Sequence, residues 1–235
     1  MNGAFGVEKS MAKARFRMAA SFALLPILAA HQNTPVVLTQ DDLPDGFYGE
    51  EPPFAADSGE WLGLYMDGDA FALGRAELSW SSERSDDYTI HTLSTDPAQP
   101  ILLLSNVPRL SVGAVETVTR WTVTLGASEP EQEFVLGETR YVVRLTASDA
   151  MQCDGVITLS DGETTQELYA MGEQPCGEPH FSVHWTGDLD GDGRLDLVAT
   201  FSPKYSVYPR RLFLSSAAAP GDLVAEAAFF ERQAD

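Results

Sequence analysis

Nine residues, Asp188-Leu189-Asp190-Gly191-Asp192-Gly193-Arg194-Leu195-Asp196, constrain this chain more than any other stretch. Carboxylates stand at positions 1, 3, 5 and 9 of the run, and glycine stands at position 6. A hard cation such as Ca²⁺ takes six to eight oxygens at roughly 2.3–2.6 Å, and odd-numbered carboxylates on a tight curl supply them. Without a cation the four charges repel one another. Gly193 lets the chain turn sharply, because a residue lacking Cβ takes positive φ without penalty. Arg194 is expected to offer its backbone carbonyl while its side chain points to solvent. An EF-hand would place Glu at position 12, where this chain has Ala199. An EF-hand also needs helices on both sides. Here the flanks, Phe181–Trp185 and Leu195–Phe201, alternate with period two and are rich in β-branched and aromatic residues. The run therefore reads as a calcium loop joining two strands. Asp188, Asp190, Asp192 and Asp196 are its candidate side-chain ligands, with the Arg194 carbonyl as a fifth.

Trp185-Thr-Gly-Asp-Leu-Asp-Gly-Asp-Gly-Arg-Leu-Asp-Leu-Val198 resembles the calcium-loop core of FG-GAP/VCBS repeats. Such repeats occur in integrin-like propellers and in many bacterial secreted proteins. The following segment, ending in Leu212-Phe-Leu-Ser-Ser216, is similar to uncharacterised bacterial secreted proteins that carry one such loop. The resemblance implies the same four aspartates and the same carbonyl as ligands. A propeller needs typically four to eight blades, whereas this sequence holds one loop, so a full propeller is not expected.

The first thirty residues read as a signal peptide. Lys9, Lys13, Arg15 and Arg17 form a basic region ahead of the apolar run Met18–Leu28. Ala29-Ala30 offers a cleavage point before His31, and either Met1 or Met11 can serve as the start. The competing reading is an uncleaved anchor. The expectation is a secreted or periplasmic chain with no membrane span after cleavage. Losing four basic residues and one acid takes the net charge from −20 to −23. So acidic a surface repels phosphate backbones and anionic lipid, which excludes nucleic acid as a partner.

Residues 31–60 hold no Lys or Arg, many acids and four prolines. They read as a flexible or loosely docked acidic leader. The alternative is a folded edge anchored by Phe47, Tyr48 and Phe54. Residues 61–235 read as one β domain. Expected strands cover Trp61–Tyr65, Phe71–Trp80, Tyr88–Leu93, Ile101–Ser105, Thr117–Leu125, Glu133–Leu136, Arg140–Thr146, Val156–Ser160 and Glu163–Ala170. Two more flank the calcium loop, and a late one covers Arg211–Ser215. Asp161-Gly162 suits a type I′ turn, and Leu223–Phe229 suits a short helix. Short strands separated by turn residues predict an all-β fold, an antiparallel sandwich or open barrel.

Cys153 and Cys176 form an even pair, which in an exported chain predicts a disulfide. His180 and His184, four apart on a strand, present a possible Zn²⁺ pair or simply a polar strand face. The four tryptophans, Trp61, Trp80, Trp121 and Trp185, fall in alternating runs and are expected in the core. No G-x-S-x-G, H-E-x-x-H, P-loop or G-x-G-x-x-G occurs. The reading is a non-catalytic calcium-binding protein whose partner is a protein or glycan at a cell surface. The alternative is a calcium-dependent extracellular hydrolase acting on polymers.

Overall fold

The computed structural model describes residues 34–44, 46–56, 59–172 and 175–233. The expected signal peptide, residues 1–30, lies outside them. The described chain opens with β1 (Val36–Thr39), a single 3₁₀ turn (Gln40–Asp42) and β2 (Phe47–Tyr48). There follow β3 (Trp61–Asp67), β4 (Ala70–Arg75), β5 (Glu77–Arg84), β6 (Thr89–Asp96) and β7 (Leu102–Ser105). Next come β8 (Gly113–Thr119), β9 (Val123–Leu125), β10 (Glu131–Leu136) and β11 (Thr139–Thr146). The chain continues through β12 (Val156–Ser160), β13 (Thr165–Ala170), β14 (His180–Asp188), β15 (Asp196–Ser202), β16 (Val207–Leu214) and β17 (Ala225–Gln233). There is no α-helix among the described residues. The fold is all-β, as the patterning predicts.

The main sheet runs β1-β7-β3-β4-β8-β14-β15-β16-β17, with β9 also paired to β14, and every pairing in it is antiparallel. Its two ends meet. The Phe229 N–H donates to the Pro35 carbonyl at 3.3 Å, so the sheet is a nearly closed barrel rather than a propeller. A four-stranded meander, β10-β11-β12-β13, and a three-stranded sheet, β2-β6-β5, complete the fold.

Three apolar clusters follow from that arrangement. Leu64, Leu102, Trp185, Val198 and Leu212 pack together from strands all round the barrel sheet. Leu197, Ala199 and Phe201 instead pack against Val143, Ile157 and Leu159 of the meander. Leu38 and Leu103 meet Phe47 and Leu93 of the three-stranded sheet. Strand β15 is thus covered on both faces, and all seven of its residues are buried. A disulfide joins Cys153 to Cys176, 23 residues apart, and ties the approach to β12 to the approach to β14.

Several expectations change. Of the two readings of residues 31–60, the described part fits the folded edge rather than the loose leader: Val36–Thr39 pair with Leu102–Ser105, and Phe47 sits in an aromatic cluster with Phe54, Trp80 and Phe230. Burying Val37, Leu38 and Phe47 outweighs the disorder that acid and proline promote nearby. The helix expected at Leu223–Phe229 is absent. Ala225–Gln233 pairs with β16 instead, because that strand's edge otherwise leaves its N–H and C=O groups unsatisfied. The run Phe71–Trp80 splits at Ala76, whose N–H bonds to the Trp61 carbonyl, so β4 and β5 enter different sheets. Thr117–Leu125 splits into β8 and β9, leaving Trp121 outside any strand and 63% exposed instead of in the core. Asp161-Gly162 opens a four-residue connection. Only Gly162 has positive φ there, whereas a type I′ turn needs two such residues.

Candidate metal centre

The β14–β15 hairpin sets the acidic loop at one end of the barrel, with Gly187 paired to Asp196. Gly187 also lets β14 press against β8. A Cβ there would lie 2.1 Å from the Glu116 carbonyl oxygen, which no side chain can satisfy. Beyond it the loop curls around Asp188, whose carboxylate accepts the N–H groups of Gly191 (2.8 Å), Asp192 (3.0 Å) and Gly193 (2.9 Å). Gly191 and Gly193 take φ of +80° and +79°, the conformation the sequence assigned to Gly193.

Asp196 is fully buried. Its carboxylate accepts the Leu189 N–H at 2.7 Å, the Ser215 N–H at 2.8 Å and the Ser215 hydroxyl at 3.0 Å. Burial nevertheless pushes its pKa up to about 7, against the hydrogen bonds that hold it down, and the nearby Asp190 charge adds to the rise. Asp190 accepts the Ser216 hydroxyl on Oδ2, while its Oδ1 is buried with no hydrogen-bond partner. One oxygen each from Asp188, Asp190 and Asp196 lie within 4.8 Å of one another. This all-oxygen set, with one orphaned carboxylate oxygen, fits a hard divalent cation.

Asp192, the fourth expected side-chain ligand, lies outside that cluster. The Asp192 carboxylate accepts the Ser215 hydroxyl at 2.9 Å and the Arg194 N–H at 2.9 Å. The Arg194 side chain does not simply point to solvent. It lies 3.4 Å from Asp192 and donates to the Ser215 carbonyl, while Arg109 donates to the Ser216 carbonyl. Ser215 and Ser216, in a 3₁₀ turn after β16, therefore tie three loop carboxylates to a second segment. In the sequence they are only a Ser-Ser pair closing the Leu212–Ser216 run, with no spacing that links them to the loop.

Four residues further along β15, roughly 13 Å, lies a second polar centre that the sequence reading missed. Arg210 Nε donates to both oxygens of Asp42 (3.1 and 2.9 Å), and its Nη2 donates to Oδ1 at 2.8 Å. Arg210 Nη1 donates to Thr200 Oγ1 and to His184 Nε2, each at 2.8 Å. His184 Nε2 thus acts as an acceptor, and the ring proton belongs on Nδ1, 3.1 Å from Thr122 Oγ1. Burial, then the Arg210 charge, takes the His184 pKa down to about 3. Asp42 also accepts the N–H and hydroxyl of Thr39. Burial alone would raise the Asp42 pKa, but Arg210 and Thr39 together lower it.

His180 does not join His184 at a metal position. Its ring packs on Tyr208 at 5.2 Å, and a register shift falls at His184 between Val183 and Trp185. Neither imidazole belongs to a metal-ligating cluster among the described residues.

The geometry thus defines an all-β barrel-like protein with an acidic loop at one end and a buried ion pair further along the same strand. Compared with family models, with curated proteins and with solved structures, the chain matches none.

Proposed function

We propose that this chain is an exported, calcium-stabilised binding module of the FG-GAP/VCBS loop type. The observation that carries the reading is the convergence of Asp188, Asp190 and Asp196, with Asp190 Oδ1 buried and unpartnered. Those three carboxylates would hold the ion, with Asp192 and the Arg194 carbonyl as the loop's further oxygens. Bound Ca²⁺ supplies the positive charge that the cluster lacks. The protein's own part is to hold the carboxylates together, through the N–H groups gathered on Asp188 and the hydroxyls of Ser215 and Ser216. The disulfide supports an oxidising compartment, secreted or periplasmic. No helix among the described residues is long and apolar enough to cross a membrane. The partner is a protein or glycan at a cell surface. Isothermal titration tests the ion directly. We expect one Ca²⁺ with Kd on the order of 10⁻⁴–10⁻³ M, as for extracellular modules, and much weaker Mg²⁺ binding. Absence of a calcium heat at millimolar ion defeats the reading.

One observation favours the alternative of an extracellular hydrolase. Ser82 Oγ lies 2.7 Å from His91 Nδ1, and His91 Nε2 lies 3.2 Å from the Gly49 carbonyl. With the Nε2–H donating to that carbonyl, Nδ1 is left to accept the serine proton, the arrangement of an activated nucleophile. A fluorophosphonate adduct on Ser82, lost in His91→Gln, would establish that reading. An unlabelled Ser82 leaves this pair as a satisfied buried histidine.

A further inference from the structure

Strand β5 is the outer strand of the three-stranded sheet, and among the described residues it pairs only with β6. Its register runs unbroken from Glu77↔Asp96 to Arg84↔Thr89. The Thr89 carbonyl accepts the Gly49 N–H on the β2 side of β6, so Thr89 and Arg84 form a non-hydrogen-bonded pair. By alternation, the N–H and C=O groups of Leu78, Trp80, Ser82 and Arg84 point away from β6. No hydrogen bond from the described residues reaches any of them. Open edges invite pairing, and chains blunt them with Pro, Lys, bulges or brevity. This strand of eight residues has none of these. The other edges of the two smaller sheets are short or covered. β2 has two residues, β10 lies against β8 and β14, and Gln166 of β13 accepts the Leu223 and Val224 N–H groups.

The side chains specify what can pair there. Glu77, Ser79, Ser81 and Glu83 share one exposed face. Leu78 and Trp80, half-buried on the other face, turn to the apolar cluster around Phe47, with Ser82 and Arg84 beyond them. A second copy fits this edge badly. Antiparallel pairing of two β5 edges needs outward residues opposite outward residues, which leaves two registers of greatest overlap. One sets Glu77 of one copy directly opposite Glu83 of the other, and the second sets them diagonally, with like charges opposed in both. Each copy also brings a net charge of −20. A strand that alternates basic and apolar residues fits both faces. Its cations stand opposite Glu77 and Glu83, and its apolar side chains continue the row of Leu78 and Trp80.

We propose that the β5 edge takes up an extended segment of a partner protein, alternating basic and apolar residues, as a further strand of the three-stranded sheet. This rests on the binding-module reading and names its partner class. The test titrates the full chain with a nine-residue peptide alternating Lys and Val, and with its Glu/Val counterpart. Calorimetry reads affinity, and amide hydrogen exchange reads the edge. In the paired strand the valine N–H groups face β5 and the lysine N–H groups face away, so N-methylation separates pairing from simple charge attraction. We expect the Lys/Val peptide to bind at least tenfold more tightly than the Glu/Val peptide. N-methyl valine should cost at least tenfold in affinity, and N-methyl lysine less than threefold. Bound peptide should slow exchange at Leu78, Trp80, Ser82 and Arg84. Glu77→Lys combined with Glu83→Lys, both at exposed positions, should reverse the charge preference. No binding, equal loss from the two methylated peptides, or unprotected β5 amides overturns the proposal. So does a chain that protects the same amides by dimerising without peptide. The calcium heat is measured apart, so failure of the peptide leaves the calcium reading as it is.

Discussion

The two polar centres on β15 face the same problem in opposite ways. Asp196 and Asp42 are both fully buried carboxylates with several hydrogen bonds each. Asp42 has a guanidinium on both its oxygens, and its pKa is lowered. Asp196 has only hydrogen-bond donors and a neighbouring carboxylate, and its pKa is pushed up to about 7. At Asp196 the hydrogen bonds do not offset the desolvation of the buried charge; at Asp42 the Arg210 guanidinium and Thr39 together do. One centre carries its counterion in the chain, in Arg210. The other has the donor set for a counterion from solution.

The largest expected effect comes from breaking the self-sufficient centre. Arg210→Met strands the Asp42 charge in the interior and should lower stability by roughly 3–5 kcal/mol. Adding Asp42→Leu should recover much of the loss, since replacing both partners removes the uncompensated charge. Urea unfolding of the single and double variants measures both quantities. A double variant no better than Arg210→Met would show that the pair itself, not the stranded charge, matters.

Next in size is the pH response of His184. Its pKa falls from about 6.5 in the unfolded chain to about 3 in the fold, so below pH 6.5 the unfolded state takes up the proton first. Stability is therefore fully present above pH 6.5 and drains as pH falls, by roughly 2 kcal/mol at pH 5. Asp42, with a lowered pKa, adds a loss of the same sign only near and below its ordinary range. The difference between wild type and His184→Gln isolates the histidine. That difference should change between pH 6.5 and 4 and be flat above pH 7. A difference with no pH dependence contradicts the tautomer and network described here.

Smaller again is Ser215→Ala. Its hydroxyl lies between the Asp192 and Asp196 carboxylates, and losing it should cost about 1–2 kcal/mol in chelator. With the ion present the cost should shrink, because a cation then serves the same charges. An equal cost in both conditions would mean that the hydroxyl and the ion act on different groups.

Most strands, the disulfide and the loop are legible because each is written locally. Val156–Ser160 shows its strand in five consecutive residues, and the odd-numbered aspartates are visible at a glance. What is not legible is set by partners far away in sequence. Val36–Thr39 sits among acids and prolines and becomes a strand only because β7 offers an edge 66 residues later. Ala225–Gln233, rich in alanine and glutamate, suits a helix until β16 is beside it. Asp42 and Arg210 meet across 168 residues, and nothing near either marks it as half of an ion pair. Ser215 and Ser216 were in view, yet their role depends on how β16 ends against the loop.

The central claim is that the acidic loop takes its counterion from solution, and thermal unfolding against calcium concentration tests it most directly. At about 100 times Kd the ion should add roughly 2.7 kcal/mol, which for a chain of this size raises the melting temperature by roughly 5–10 °C. Asp190→Ala should remove most of that gain. Arg194→Ala should leave most of it, since only its carbonyl is expected at the ion. Identical melting curves for the wild type in calcium and in chelator would contradict the account.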